Sequence, residues 1–288
     1  PTVGLVSSIG ADFSVMNSQL GTGSAEASLN AGASGFSSTG NFTGGSVTVN
    51  SNSLLARASA NTANNTLTLA ANNRLEASGV VNNLQQMGDG ATVKASIAST
   101  SAVGVELAST SGDAVVTVKD NMVTAQATGN VANNALNASA NNAITAAGSS
   151  GTPTFAVLNY QNTGTSPSSP AYGIQSIING ISVGGSQLGG ALNGGSSTVA
   201  GNQVLSVAYG NSANNSVVVS ALTPTLNTAS ASITSVQYNL TSVTATIGNT
   251  TVQASGTAGS SGANVGISGN SIVAMAVGNR SANTITGR

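Results

Sequence analysis

The sequence predicts an all-β fold: a repetitive β-solenoid built from four repeats of about 70 residues, with a loop-rich insertion in the third. Three observations predict it. One block recurs four times at similar spacing. Its segments alternate apolar or small residues with polar ones. The side chains available for a core are mostly Ala, Val, Leu and Ile, with aromatics at only 3%, which suits thin stacked layers rather than a thick globular interior.

The block reads NSLLARASANTANNTLTLAA from Asn52, NMVTAQATGNVANNALNASA from Asn121, NQVLSVAYGNSANNSVVVSA from Asn202 and NSIVAMAVGNRSANTITGR from Asn270. The four starts are 69, 81 and 68 residues apart. Asparagine recurs at three places in each copy: Asn52, Asn121, Asn202 and Asn270; Asn61, Asn130, Asn211 and Asn279; Asn65, Asn134, Asn215 and Asn283. Segments such as Leu54–Ser59 and Val123–Thr128 alternate with a period of two, which places one set of side chains on an inner face. Between two such segments lies G-N-x-A-N-N or a close variant. Gly and Asn tolerate the left-handed backbone of a tight corner, so each block reads strand–corner–strand. A spacing of 69 also equals three times 23, within the ~20–25-residue coil length common in solenoids. One asparagine per coil at a fixed position could then stack into an amide ladder along the axis or serve simply as a corner residue, two readings that are compatible.

A weaker block precedes each main one: VMNSQ at Val15, VVNNLQ at Val80, VLNYQ at Val157 and VQYN at Val236. The expected units are residues 15–79, 80–156, 157–235 and 236–288, within one repetitive domain spanning 1–288. The longer middle spacing places an insertion at about 148–197. It is rich in Gly and Pro, which mark loops. Within it Ile174, Ile177, Ile178 and Ile181 fit either a short helix at i, i+3, i+4, i+7 or another strand.

Only 13 residues are charged, 6 basic and 7 acidic, for a net charge of −1. That is 5% of the chain, against about 25% in an ordinary globular protein. Near-neutral surfaces favour association. Six scattered cations make no basic patch, which argues against nucleic acid. No run reaches the ~18 apolar residues of a membrane helix, so membrane insertion is not expected. The chain has no His and no Cys; nucleophilic catalysis and transition-metal binding normally need them. No catalytic, cofactor or metal site is expected. Two carboxylates suffice for glycoside hydrolysis, and the candidates are Asp12, Glu26, Glu76, Asp89, Glu106, Asp113 and Asp120, but Asp89 in GDG reads as a turn, Asp120 as a turn or surface residue, and Glu106 as pointing out of a strand. The expectation is a non-enzymatic, secreted structural protein. The opening at Pro1 without a charged leader fits a processed secreted chain.

The corner Gly129-Asn130-Val131-Ala132 and its counterpart Gly210-Asn211-Ser212-Ala213 resemble the corner of curli-type functional-amyloid repeats. The Asn- and Gln-bearing strands and the His-free, Cys-free composition are similar too. The curli spacing of Ser, Gln, Asn and Gln is not reproduced, Ala stands where the inner Gln would be, and the unit here is much longer. The resemblance implies a bacterial extracellular fibre subunit of a biofilm matrix or surface anchor.

The two ends of the sequence also read as complementary. The fourth block stops at Thr284-Ile285-Thr286-Gly287-Arg288 with its second segment short. Residues 1–14 resemble a segment between units, since Pro-Thr-apolar recurs at Pro1, Pro153 and Pro224. Residues 1–14, with Pro1, Val3 and Leu5, are therefore expected to complete the unit holding Ile285 in a second copy. That gives a head-to-tail homopolymer, because a heterologous contact that does not close makes a filament. An adhesin stalk, or a surface protein that binds polysaccharide, is the competing expectation.

Overall fold

A computed structural model describes residues 12–30, 34–38, 42–98, 102–107, 111–145, 153–164, 173–185, 191–222, 229–254 and 261–287. All regular structure among these residues is β. In chain order the strands begin β1 (Phe13–Gly21), β2 (Ala25–Asn30), β3 (Ser34–Ser38), β4 (Ser46–Asn50), β5 (Ser53–Ala71) and β6 (Arg74–Glu76). There follow β7 (Gly79–Met87), β8 (Val93–Ala98), β9 (Ala102–Leu107), β10 (Ser111–Gly112), β11 (Val115–Lys119), β12 (Met122–Ala140) and β13 (Ala143–Thr145). Next come β14 (Phe155–Thr163), β15 (Gly173–Asn179), β16 (Ser182–Gly185), β17 (Leu192–Asn193), β18 (Ser196–Ala200) and β19 (Gln203–Ala221). The last are β20 (Ala231–Asn239), β21 (Ser242–Gly248), β22 (Thr251–Gln253), β23 (Asn264–Ser268) and β24 (Ser271–Gly287).

These strands form stacked parallel sheets, consistent with a β-solenoid-like fold. The sheet orders are β1-β7-β14-β20, β2-β8-β15-β21, β3-β9-β16-β22, β4-β11-β18-β23 and β5-β12-β19-β24, with β6-β13 and β10-β17 as short pairs. In-register partners lie far apart in sequence. Asn17 meets Asn83 across 66 residues, Asn52 meets Asn121 across 69, and Asn121 meets Asn202 across 81. This corrects the coil length read from sequence. Among the described residues no strand pairs with one some 23 residues away; the chain travels a whole repeat before it returns to its own sheet.

The corner also differs from the sequence reading. β5, β12 and β19 each run unbroken for 19 residues through the G-N-x-A-N-N segment. In β12 the buried apolar residues are Val123, Ala125 and Ala127, then Ala132, Leu136, Ala138 and Ala140. The inward set thus changes from odd to even numbers across Gly129, the one position inside the strand that the register skips. A Cβ on Gly129 would stand 2.7 Å from Ile174 Cδ1 and 2.9 Å from Thr163 Cγ2, so the inside of this bend has room only for glycine. None of the twelve repeated asparagines has a positive φ. The left-handed residues are their predecessors: Ser51 (φ 55), Asp120 (φ 56), Gly201 (φ 66) and Gly269 (φ 62) stand just before Asn52, Asn121, Asn202 and Asn270.

The segment read as an insertion carries strands β14 to β18. Ile174, Ile177 and Ile178 lie in β15, with Ile174 and Ile178 fully buried and Ile181 just beyond. The strand alternative therefore holds and the helix does not. The extra length enters as an increase in partner offset, from 69 residues between β5 and β12 to 76 between β7 and β14 and 81 between β12 and β19.

Among the described residues the interior is divided into three apolar clusters. One gathers Val93, Ala95, Ile97, Val123, Ala125, Ile174, Ile178 and Val204. A second gathers Val81, Leu136, Ala138, Ile144, Phe155, Val157 and Val217. The third holds Val49, Val105, Val116, Val118 and Val199. Ala, Val, Ile and Leu fill most of these compartments, with Phe155 and Met87 the largest side chains fully buried, and what separates the first two compartments is polar.

Candidate functional site

The polar partition is a set of amide columns. Parallel strands stack about 4.8 Å apart, so the same side chain on successive strands can hydrogen-bond to itself along the axis. Asn61 Nδ2 donates to Asn130 Oδ1 at 2.7 Å, Asn130 to Asn211 at 2.8 Å, and Asn211 to Asn279 at 2.8 Å. Each also donates sideways to a main-chain carbonyl, Asn130 to that of Asn162 at 2.9 Å. A second column runs Asn65 to Asn134 to Asn215 to Asn283, each step 2.8 Å. The third runs Asn52 to Asn121 to Asn202 to Asn270 at 2.8–2.9 Å. In that column the Oδ1 also accepts the main-chain N–H of the preceding asparagine at 3.0 Å. Because a main-chain N–H cannot reverse, it fixes which way these amides point. Asn61, Asn65, Asn121, Asn130, Asn134, Asn202, Asn211 and Asn215 are buried; unpaired, each amide would cost about 1–3 kcal/mol.

Two further columns had a visible signal but were misaligned in the sequence. Asn17 donates to Asn83 at 2.7 Å, Asn83 to Asn159 at 2.8 Å, and Asn159 to the hydroxyl of Ser235 at 3.1 Å. Gln85 donates to Gln19, Gln161 to Gln85 and Gln237 to Gln161, at 2.7–2.8 Å. The register is Val15–Val81–Val157–Ile233, not the Val80 and Val236 of the block alignment. With that shift the motif becomes apolar-x-[Asn/Ser]-x-Gln. The glutamine column runs in the opposite sense to the asparagine columns: its amides donate toward the N-terminal strands.

Among the described residues the sheets stop at each end of the stack. The outermost strands are β1 to β5 at one end and β20 to β24 at the other. Core columns end there in the open. Ile285 continues the column Leu67–Leu136–Val217. Leu136 and Val217 are 0% exposed, whereas Ile285 is 53% exposed. Val265 and Ile267 likewise extend Val47–Val116–Ser197 and Val49–Val118–Val199, and both are exposed. On the opposite end a hollow of about 390 Å³ is lined by Gly35, Phe36, Val47, Thr48, Val49, Asn50 and Asn52. Long unpaired strand edges of this kind are templates for further pairing. Pro1, Val3 and Leu5 lie outside the described residues. Phe13 and Ser14, at the close of the segment expected to join a second copy, pair with Gly79 and Val80 of their own chain. Asp12 there accepts the Ser78 main-chain N–H at 2.8 Å.

Along the outside, a groove of about 520 Å³ crosses β5, β12, β19 and β24, lined by Asn64, Thr66, Asn133, Asn214, Ser216 and Thr284 among others. Its asparagines form an exposed ladder, Asn214 to Asn133 at 3.0 Å and Asn133 to Asn64 at 2.8 Å. The carboxylates are dispersed. Glu76 pairs with Arg74 at 2.9 Å and Glu26 with Lys94 at 3.2 Å, both on the surface. Asp113 and Asp120 occupy left-handed turns. Among the described residues no three potential metal ligands cluster. Tyr160 lies 5.8 Å from Tyr238, ring to ring. Burial holds its hydroxyl pKa above the usual value, and the neighbouring tyrosine adds to the shift. No family model, curated protein or solved structure matches the chain.

Proposed function

We propose that the chain is a non-catalytic structural subunit of an extracellular bacterial filament or matrix fibre, a functional amyloid that assembles end to end through its open β faces. In this reading the four repeats are four turns of one solenoid. Each turn carries one asparagine of every column, and the chain is a short length of a structure that continues in its neighbours. The observation that carries the reading is the pair of open ends. Core columns that are fully buried at Leu136 and Val217 reach the surface at Ile285, and the strands there have no partner on their outer edge among the described residues. Burying apolar surface of this kind is worth about 25 cal/mol per Å², so end-to-end contact is favoured. The low charge of the surface offers little repulsion against it. The resemblance of the Gly129–Ala132 corner to curli-type repeats agrees with an extracellular fibre.

Negative-stain electron microscopy of the purified 288-residue chain tests this. Unbranched filaments of uniform width, growing in number with concentration, are expected. Isolated short rods at every concentration would refute it.

A second reading is an adhesin stalk or a polysaccharide-binding surface protein, favoured by the groove along Asn64, Asn133 and Asn214. A row of uncharged amides and hydroxyls at strand spacing suits a neutral, hydroxyl-rich polymer. Sedimentation with insoluble neutral glycans tests it. Retention that Asn133→Leu abolishes would support this reading, and recovery of all protein in the supernatant would dismiss it.

A further inference from the structure

We infer that the partner of each open end is the opposite end of a second copy, docked in one register and one polarity set by the amide columns. This rests on the filament reading above and names the junction it needs.

The argument is one of donors and acceptors. In the three long asparagine columns every amide donates toward the C-terminal strands. The columns therefore finish on β24 and its approach with outward donors. These are the Nδ2 groups of Asn279 and Asn283, and the main-chain N–H of Asn270, whose own Nδ2 donates to the carbonyls of Val199 and Ser268. They begin at the other end with outward acceptors, the Oδ1 atoms of Asn52, Asn61 and Asn65. The glutamine column is reversed, so Gln237 leaves an acceptor at the C-terminal end and Gln19 a donor at the N-terminal end. Bringing the first end of one copy onto the last end of another matches all four points. Asn270 meets Asn52, Asn279 meets Asn61, Asn283 meets Asn65, and Gln19 meets Gln237. Like ends set donor against donor and acceptor against acceptor, leaving buried groups unsatisfied.

The apolar columns agree with the same register. Ile285 would seat on Leu67, Val265 and Ile267 on Val47 and Val49 beside the hollow, and Ile272 on Leu54. Each pair repeats a contact type already present inside the chain, such as Val217 over Leu136 or Val199 over Val118. The amides choose the direction, and the apolar residues supply area.

Two variants test the junction. The chain has no cysteine, so introduced thiols report only on themselves. Adjacent in-register Cα atoms lie about 4.8 Å apart, inside the range a disulfide spans. A mixture of Leu67→Cys and Ile285→Cys single variants should give oxidised heterodimers, and the double variant a ladder of multimers, while either single variant alone stays uncross-linked. Asn283→Asp tests polarity. Its Oδ1 keeps the bonds it accepts from Asn215 and Ser281, but at neutral pH the carboxylate offers no outward donor to Asn65. The assembly threshold should rise about tenfold or more at pH 7. It should return toward that of the parent chain below about pH 4, where the carboxyl is protonated and again donates. Self-dimers of Ile285→Cys, filaments without cross-links, or an Asn283→Asp threshold that ignores pH would each overturn the junction and leave the filament reading standing. Absence of filaments from the unmodified chain would overturn both.

Discussion

Replacing Gly104 by alanine is expected to destabilise the fold by about 3 kcal/mol or more. Gly35, Gly104 and Gly184 stand in one column with Gln253. A Cβ on Gly35 would run into the carbonyl oxygen of Gly104, one on Gly104 into that of Gly184, and one on Gly184 into that of Gln253. Gly184 also has φ +107, a backbone state closed to side chains. A main-chain carbonyl cannot rotate aside as a long side chain can. The strands β3, β9 and β16 would have to separate, and with them the contacts of Val103, Val105 and Val183, all of them buried. Urea unfolding followed by circular dichroism measures the change. Gly23→Ala is the control: nothing lies within 4 Å of its Cβ position, and its effect should fall within about 0.5 kcal/mol.

Asn130→Ala should cost a similar amount by another route. Asn130 is 0% exposed and accepts from Asn61 while donating to Asn211 and to the Asn162 carbonyl. Truncation removes all three bonds at once and leaves partners on both neighbouring strands buried and unpaired. At about 1–3 kcal/mol for each orphaned group, a loss of 3 kcal/mol or more is expected in thermal or urea unfolding. The exposed ladder makes the comparison sharp. Asn133→Ala breaks two side-chain bonds as well, but water replaces them, and the change should stay below about 1 kcal/mol. If the two variants unfold alike, the amide partition does not stabilise the interior.

The repeat and its strand periodicity were legible in the sequence because equivalent positions recur as Asn, Ala and aliphatic residues. The distance between in-register strands was not. A spacing of 69 says that Asn52 and Asn121 are equivalent, and it is silent on how often the chain turns between them. The strands that close the circuit, such as β8 and β15, differ in composition between repeats: VKASIA answers to IQSIIN. Asparagine itself was ambiguous, since the same amide suits a left-handed corner and an inward ladder. Here the corner is left-handed at Ser51 and Asp120, and the ladder begins at the next residue. The glutamine column was missed through a one-residue misalignment at Val80, and in a strand a one-residue shift exchanges the two faces.

The separation of 66 to 81 residues between bonded strands bears on how the molecule forms. Closing so long a stretch of chain is entropically costly before any ladder rewards it, and topologies dominated by distant pairings fold slowly. The first closure has no template and is the slow event. Once one edge exists, each later pass of chain lays down against a finished row of amides and main-chain groups. Under the filament proposal the same edge would offer that shortcut to any chain that reaches it, so material already folded would act as a seed, and folding and growth would become one process with a lag that preformed ends remove.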